Sequence, residues 1–334
     1  IISALDSGTS VSISTGATGV QDGNIVVADE IEPSITGFVT LTLDAANNIQ
    51  INAPITNPSS FEVFNLTLTA GNSIGINAQI QLNEGNLIAN SASGGIEING
   101  DIFANSAELT ANNGAIAINN SIGVSRDFTS NSSTFDSQGV TISSFFGNLN
   151  ITTSGALAVG DLDTESDGFV SLTSTSSTIE AGNINTSSDI AGNITLNALG
   201  NITAGNLDAS AKVGEFFEGS ELDAGEISLT TTEGNIVFSS IDTSAQTSST
   251  FINPLAGNVT LTTNLGVLRG IGTVNGNGSD TILTSAIGGI SPQAGSISIT
   301  HAGGLNNDPF IVGDASINGT AGNLNAGSDL LLPI

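Results

Sequence analysis

Any chemistry in this chain would have to be done with carboxylates. Its 334 residues include 31 Asp+Glu against three Lys+Arg and one His, with no Cys, Met, Trp or Tyr. The cations are Arg126, Lys212 and Arg269, and the one imidazole is His301. The densest acids lie in Asp161-Leu162-Asp163-Thr164-Glu165-Ser166-Asp167-Gly168, which sets Asp161, Asp163, Glu165 and Asp167 at alternate positions. Hard oxygen ligands at that density suit Ca²⁺, and these four are its candidate ligands. The stretch departs from an EF-hand loop, because Ser166 and Leu172 stand where that loop needs Gly and Glu. A solvated acidic loop explains the same residues without a metal. Glu215 to Asp223 and Asp29-Glu30-Ile31-Glu32 are less specific versions of the same feature.

Catalysis finds less support. A polysaccharide lyase needs a Lys or Arg base beside metal-binding acids. Here Lys212 stands near Glu215, Glu218, Glu221 and Asp223, where an ion pair accounts for it. Two-carboxylate glycoside hydrolysis needs placed acids, and a chain this acidic offers pairs by chance. His301 has no nucleophile-elbow context and reads as a structural residue at a turn. Without Cys there is no disulfide framework and no thiolate metal site. The formal net charge of −28 repels nucleic acid and anionic lipid. No apolar run approaches the roughly 18 residues of a transmembrane helix. The expectation is therefore a protein that is not an enzyme and requires no cofactor, with Ca²⁺ as the one ligand worth testing.

The elements that position these residues are short strands. The recurring unit is Gly-Asn-apolar followed by alternation, as in Gly192-Asn193-Ile194-Thr195-Leu196, Gly234-Asn235-Ile236 and Gly257-Asn258-Val259-Thr260-Leu261. Looser copies include Gly37-Phe38-Val39-Thr40-Leu41 and Gly295-Ser296-Ile297-Ser298-Ile299. Apolar/polar alternation over three to five residues marks a half-buried strand, and helical spacing is nowhere sustained. Strands that resemble one another favour a solenoid, in which each coil stacks on a near copy of itself. The fold class expected is all-β, a right-handed parallel β-helix, with right-handed winding the default for parallel crossovers. Stacked Ile, Leu and Val fill its interior, Asn forms ladders between coils, and Gly supplies positive φ at the corners. The spacing implies about 20–30 residues per coil and roughly 12–16 coils.

Residues 1–36 are less regular and are expected to cap the solenoid or lie beside it, with the solenoid itself over 37–325. Loop excursions are expected near 126–137, 211–223 and 273–280, and an apolar tail or junction over 326–334. The first residues, Ile1-Ile2-Ser3-Ala4-Leu5-Asp6, carry no basic region and no cleavage site of a signal peptide. Because the chain also does not begin with Met, it is expected to be part of a longer precursor. The absence of oxidisable Cys and Met suits long exposure outside a cell.

At the units Gly192–Ser210, Gly225–Ser244 and Gly257–Val274 the sequence resembles secreted haemagglutinin-type exoproteins of the two-partner secretion class, particularly the large cyanobacterial members. The segment His301-Ala302-Gly303-Gly304, Pro309-Phe310-Ile311-Val312-Gly313-Asp314-Ala315 and Asn318-Gly319-Thr320-Ala321-Gly322 is similar to a motif recurring in them. The repeat resemblance spans about residues 37–325. It implies a right-handed parallel β-helix, export through an outer-membrane β-barrel transporter, and a role in adhesion or surface coating. The family's secretion domain is not among these residues.

The ends complete the expectation. A β-helix exposes a strand edge at each terminus, and such edges need caps to avoid stacking. Ile1 and Ile2 at one end, and Leu330, Leu331, Leu332 and Ile334 at the other, carry no charge and form the expected assembly interface. A head-to-tail contact between them propagates into a filament. The function expected is thus an extracellular or cell-surface fibre, sheath or adhesin whose main partner is itself. Extracellular polysaccharide or a neighbouring cell surface are further partners; nucleic acid and membrane insertion are not. The alternative is a carbohydrate-binding or carbohydrate-cleaving β-helix.

Overall fold

The computed structural model describes residues 1–16, 22–57, 59, 61–212, 222–249, 252–275 and 278–329. The chain forms two compact units: Ile1–Ser154 with Ala158–Gly160, and Gly155–Leu157 with Asp161–Ile334. Each is an all-β parallel β-helix, in which every strand pairs with its counterpart one coil away.

In the first unit three strand positions recur per coil, and the alternation of the sequence decides what each contributes. On the first face Leu41 stacks on Leu66, Leu66 on Leu87, and Leu87 on Ala107, followed by Phe128 and Leu149. The second face aligns Ile25, Ile49, Ile74, Ile96, Ile116 and Phe135. On the third, Ile31, Ile55, Ile80, Ile102, Ile122 and Ile142 form a nearly pure isoleucine column. These inward side chains are almost wholly removed from water. Because equivalent positions meet equivalent neighbours, one good packing solution is repeated from coil to coil.

Asn ladders hold the corners. Asn77 Nδ2 donates to Asn52 Oδ1 at 2.8 Å, Asn99 to Asn77 at 2.9 Å and Asn119 to Asn99 at 2.8 Å, separations of 25, 22 and 20 residues. A second ladder runs from Asn24 through Asn48 to Asn72. The amide supplies a donor to one neighbour and an acceptor to the other, so inner rungs are satisfied on both sides.

The second unit begins with the same three positions. Val170, Ile194, Ile227, Val259 and Ile297 share the first face. Ile179, Ile202, Ile236 and Leu268 share the second, and Leu162, Ile184, Leu207, Ile241, Ile282 and Leu324 the third. Its later coils then widen. Corner hydrogen bonds there span 33, 32 and 38 residues, longer than the 20–30 expected. The extra length builds a lateral sheet of Ala211–Lys212, Ala245–Gln246, Ala286–Ile287 and Ser328–Asp329. Leu222–Asp223 pairs beside it with Pro254–Leu255. Ala211, Leu222, Ala224, Ala245, Ile252, Ala256 and Ala286 form a small core of their own beneath these strands.

Several expected boundaries fall differently. Residues 126–137 stay within the coil, because Phe128–Ser144 is one long strand whose Phe128 and Phe135 point inward. Their rings meet edge to face with centroids 6.4 Å apart. Small inward residues beside them, Ser130, Ser132 and Ser137, offset the volume of two aromatics and give the stretch its misleadingly polar look. The ends of 211–223 are strands, while 213–221 lie outside the described residues, as do 276–277 of the segment at 273–280. Within 1–36, Ile2–Asp6 is a short helix, and Val11–Ser14 and Ile25–Val27 already pair with the following coil.

Gly37 has the positive φ expected, but four other repeated glycines have a different cause. Gly192, Gly225, Gly257 and Gly295 all lack the positive φ that would single out glycine. A Cβ on Gly225 would lie 2.0 Å from the carbonyl oxygen of Gly192, one on Gly257 2.0 Å from that of Gly225, and one on Gly295 1.9 Å from that of Gly257. Coils approach here too closely for any side chain, so each glycine requires the next.

Candidate functional site

The acidic stretch is divided by the strand that carries it. Leu162 and Thr164 are buried, whereas Asp161 and Asp163 face outward on the third face, where Leu162 and Asp163 pair with Ile184 and Asn185. Asp161 Oδ1 accepts the backbone N–H of Asn183 at 2.8 Å, and Asp163 Oδ1 accepts from Asn185 Nδ2 at 2.9 Å. Both carboxylates are therefore ladder rungs. Glu165 and Asp167 follow in the turn, exposed, with Ser166 Oγ 3.1 Å from Asp167 Oδ1. Among the described residues no three acids or imidazoles are grouped to hold a metal ion. The alternation that suggested a ligand set instead distributes these side chains along a strand and a turn.

Further along the same face Asp163, Asn185, Asp208 and Asp242 stand in register. Asp208 and Asp242 each accept the backbone N–H and the hydroxyl of the serine two residues on, Ser210 and Ser244. Lys212 Nζ reaches Asp208 Oδ2 at 3.4 Å, so its ion pair is made upstream; Glu215, Glu218 and Glu221 lie outside the described residues. Asp242 is almost fully buried, and burial raises its pKa above the ordinary carboxylate value against the lowering effect of its bonds to Ser244. Lys212, Asp242, Ser244, Asn275 and Ser285 help to line an open pocket of about 320 Å³. Its lining holds no aromatic ring on which a sugar could stack.

His301 ends the strand Ile297–His301 and is tied into a hydrogen-bonded insertion. Asn318 Nδ2 lies 3.0 Å from its Nδ1 and 2.9 Å from the carbonyl of Asp308, and Asn318 Oδ1 accepts the N–H of Leu268 at 3.0 Å. With the amide donating, Nδ1 is the acceptor and the imidazole carries its proton on Nε2. Phe310 packs against the ring at 5.6 Å, and Arg269 Nε donates to the carbonyl of Ala315 at 2.5 Å. No protein-family model matches this chain, and no curated protein or solved structure is detectably similar to it.

The terminal residues divide. Ile1 is 53% and Ile2 39% exposed, while Leu5 of the same short helix is fully buried. Leu330, Leu331, Leu332 and Ile334 lie outside the described residues. The open strand edges expected of a β-helix lie in residues other than the apolar ones expected to form the interface. Val11–Ser14 pairs only with Phe38–Ala45, and Ile297–His301 only with Val259–Thr263, among the described residues. Their inward residues Val11, Ile13, Ile297 and Ile299 are half-buried, whereas Leu41, Leu43, Val259 and Leu261 one coil further in are fully buried.

Proposed function

We propose that this chain is a structural β-solenoid of the cell exterior, building a surface fibre, sheath or adhesin by coil-on-coil self-association. The half-buried apolar residues and one-sided strand pairing of the coils at 11–14 and 297–301 carry this reading. An open strand edge with an apolar interior is a template for another strand. A further coil set on either edge would complete the columns of Val11 and Ile297. The low content of oxidisable residues, the acidic exterior and the resemblance to haemagglutinin-type exoproteins support an exported location. On this reading the chain performs no catalysis and needs no cofactor.

Electron microscopy combined with light scattering at rising concentration tests the proposal. Particles should lengthen end to end, and Ile299→Lys, which places a charge on the open edge, should shorten them. A native chain that stays monomeric at every concentration overturns it.

A further inference from the structure

The outward side of the first face in the second unit carries a repeating pair of hydrogen-bonding side chains. Ser171 and Thr173 stand in register with Thr195 and Asn197, these with Ser228 and Thr230, then Thr260 and Thr262, then Ser298 and Thr300. The pairing is parallel without a register shift, so the side chains form two straight columns. Within a strand, partners two residues apart stand about 6.6 Å apart, and adjacent coils about 4.8 Å. Thr195, Asn197, Thr260, Ser298 and Thr300 are exposed, and Ser171, Thr173, Ser228, Thr230 and Thr262 are half-buried.

Two independent observations separate this face from its surroundings. The first is charge. In a chain of net charge −28, these ten positions carry none, and the nearest outward carboxylate, Glu226, stands at the edge of the array beside Asn193 and Asn258. The second face presents Glu180, Thr203, Val237 and Arg269 outward, and the third Asp163, Asn185 and Asp208, with the buried Asp242 next in register. The second is hydrogen bonding. Inward hydroxyls of the same strands are engaged: Thr231 with the carbonyl of Gly200 and the N–H of Gly234, and Thr263 likewise with Gly234 and Gly266. None of the ten outward side chains has a hydrogen-bond partner within the described residues. Their donors and acceptors are offered to whatever lies on the face.

We infer that this two-column array is a binding surface for ice. The occupant must match a regular, uncharged lattice of nine hydroxyls and the Asn197 amide, and ordered water does so. The two spacings lie close to oxygen repeats on the faces of hexagonal ice. Each hydroxyl can both donate and accept, and threonine methyl groups confine water to the troughs between columns. Each contact is weak, but many rigid, simultaneous contacts hold the protein on the crystal. A crystalline polysaccharide would call for aromatic platforms along the columns, and the ten positions include none, Phe169 standing only at the edge beside Ser171. The inference is independent of self-association, because the array lies within one chain.

The test is ice growth and ice recrystallisation in the presence of the purified full chain. The native protein should shape ice crystals and suppress recrystallisation. Thr230→Lys with Thr262→Lys, at the centre of the array, should raise the concentration required by about tenfold or more, a loss of about 1.4 kcal/mol in binding. Thr203→Lys, on the second face, should leave it unchanged, with circular dichroism confirming the fold of both. Asn197→Thr completes the hydroxyl columns with a better strand former and should lower the concentration required. Unaltered ice growth with the native chain overturns the inference, as does activity that neither the Lys pair nor Asn197→Thr shifts. Retention on cellulose or chitin without an effect on ice also overturns it and assigns the face to a crystalline glycan.

Discussion

Ser130 occupies a position that its column gives to Leu109 on one side and Ile151 on the other. Its hydroxyl and that of Ser137 are buried without a hydrogen-bond partner. An unsatisfied buried hydroxyl costs stability that an apolar replacement recovers. Ser130→Ala should therefore raise the unfolding free energy by about 1 kcal/mol in urea titration; a loss of that size would show that the hydroxyl is satisfied. Asp242 makes the opposite kind of test. Burial raises its folded-state pKa, so its contribution to stability is fully present below the ordinary carboxylate range. That contribution is lost as pH rises through the raised value. Asp242→Asn keeps an oxygen to accept from Ser244 and removes the charge. It should raise the thermal midpoint at neutral pH, and the gain should vanish near pH 3. A gain that persists there would assign the effect to something other than ionisation.

Among the elements, the parts legible in the sequence were those repeated often enough to be periodic. Gly-Asn-Ile-x-Leu declares an inward Ile, an outward residue and an inward Leu, and Ile194, Ile227 and Val259 pack accordingly. The Asn ladders followed from the same repetition. What the pattern hides is anything set by the neighbouring coil. Phe128–Ser144 looks like a polar loop because Ser130, Ser132 and Ser137 make room inward for two phenylalanines. The lateral strands Ala211–Lys212 and Ala245–Gln246 are too short to show a period. Asp161, Asp163, Glu165 and Asp167 look convergent in one dimension, and the pleat then directs two of them to Asn183 and Asn185. Positive φ was rightly expected at Gly37 and wrongly at Gly192, Gly225, Gly257 and Gly295, since backbone crowding between coils leaves no local signature. That crowding makes a sharp prediction. Gly225→Ala puts a methyl group against the Gly192 carbonyl, and separating the coils should cost about 1–3 kcal/mol. Gly37→Ala has space around its Cβ and is disfavoured by its positive φ alone, so its loss should be smaller. Equal losses in chemical denaturation would remove the crowding argument.

For the whole molecule the governing quantity is charge. A net −28 with three cations leaves most carboxylates without a cationic partner, and the one ion pair among the described residues joins Lys212 to Asp208. Repulsion of this kind opposes the compact state and keeps neighbouring molecules apart. Counter-ions relieve it by screening, over about 10 Å at 0.1 M salt. Calcium could act in this general way, or by occupying a site. The two differ in their concentration dependence. A site binding only the folded state raises stability as the logarithm of free ion over its dissociation constant, and saturates a specific stoichiometry. Screening follows ionic strength and hardly distinguishes one divalent ion from another. Asp161 and Asp163 already serve as rungs and no group of three acids is assembled among the described residues, so screening is the expectation put to the test. The thermal midpoint should therefore rise equally with CaCl₂ and MgCl₂ at matched ionic strength. Asp161→Asn with Asp163→Asn, which keeps oxygen acceptors at both rungs, should leave that rise intact. A calcium-specific increase that the double substitution abolishes would instead establish the acidic stretch as a metal site, formed by a rearrangement of the turn after Thr164.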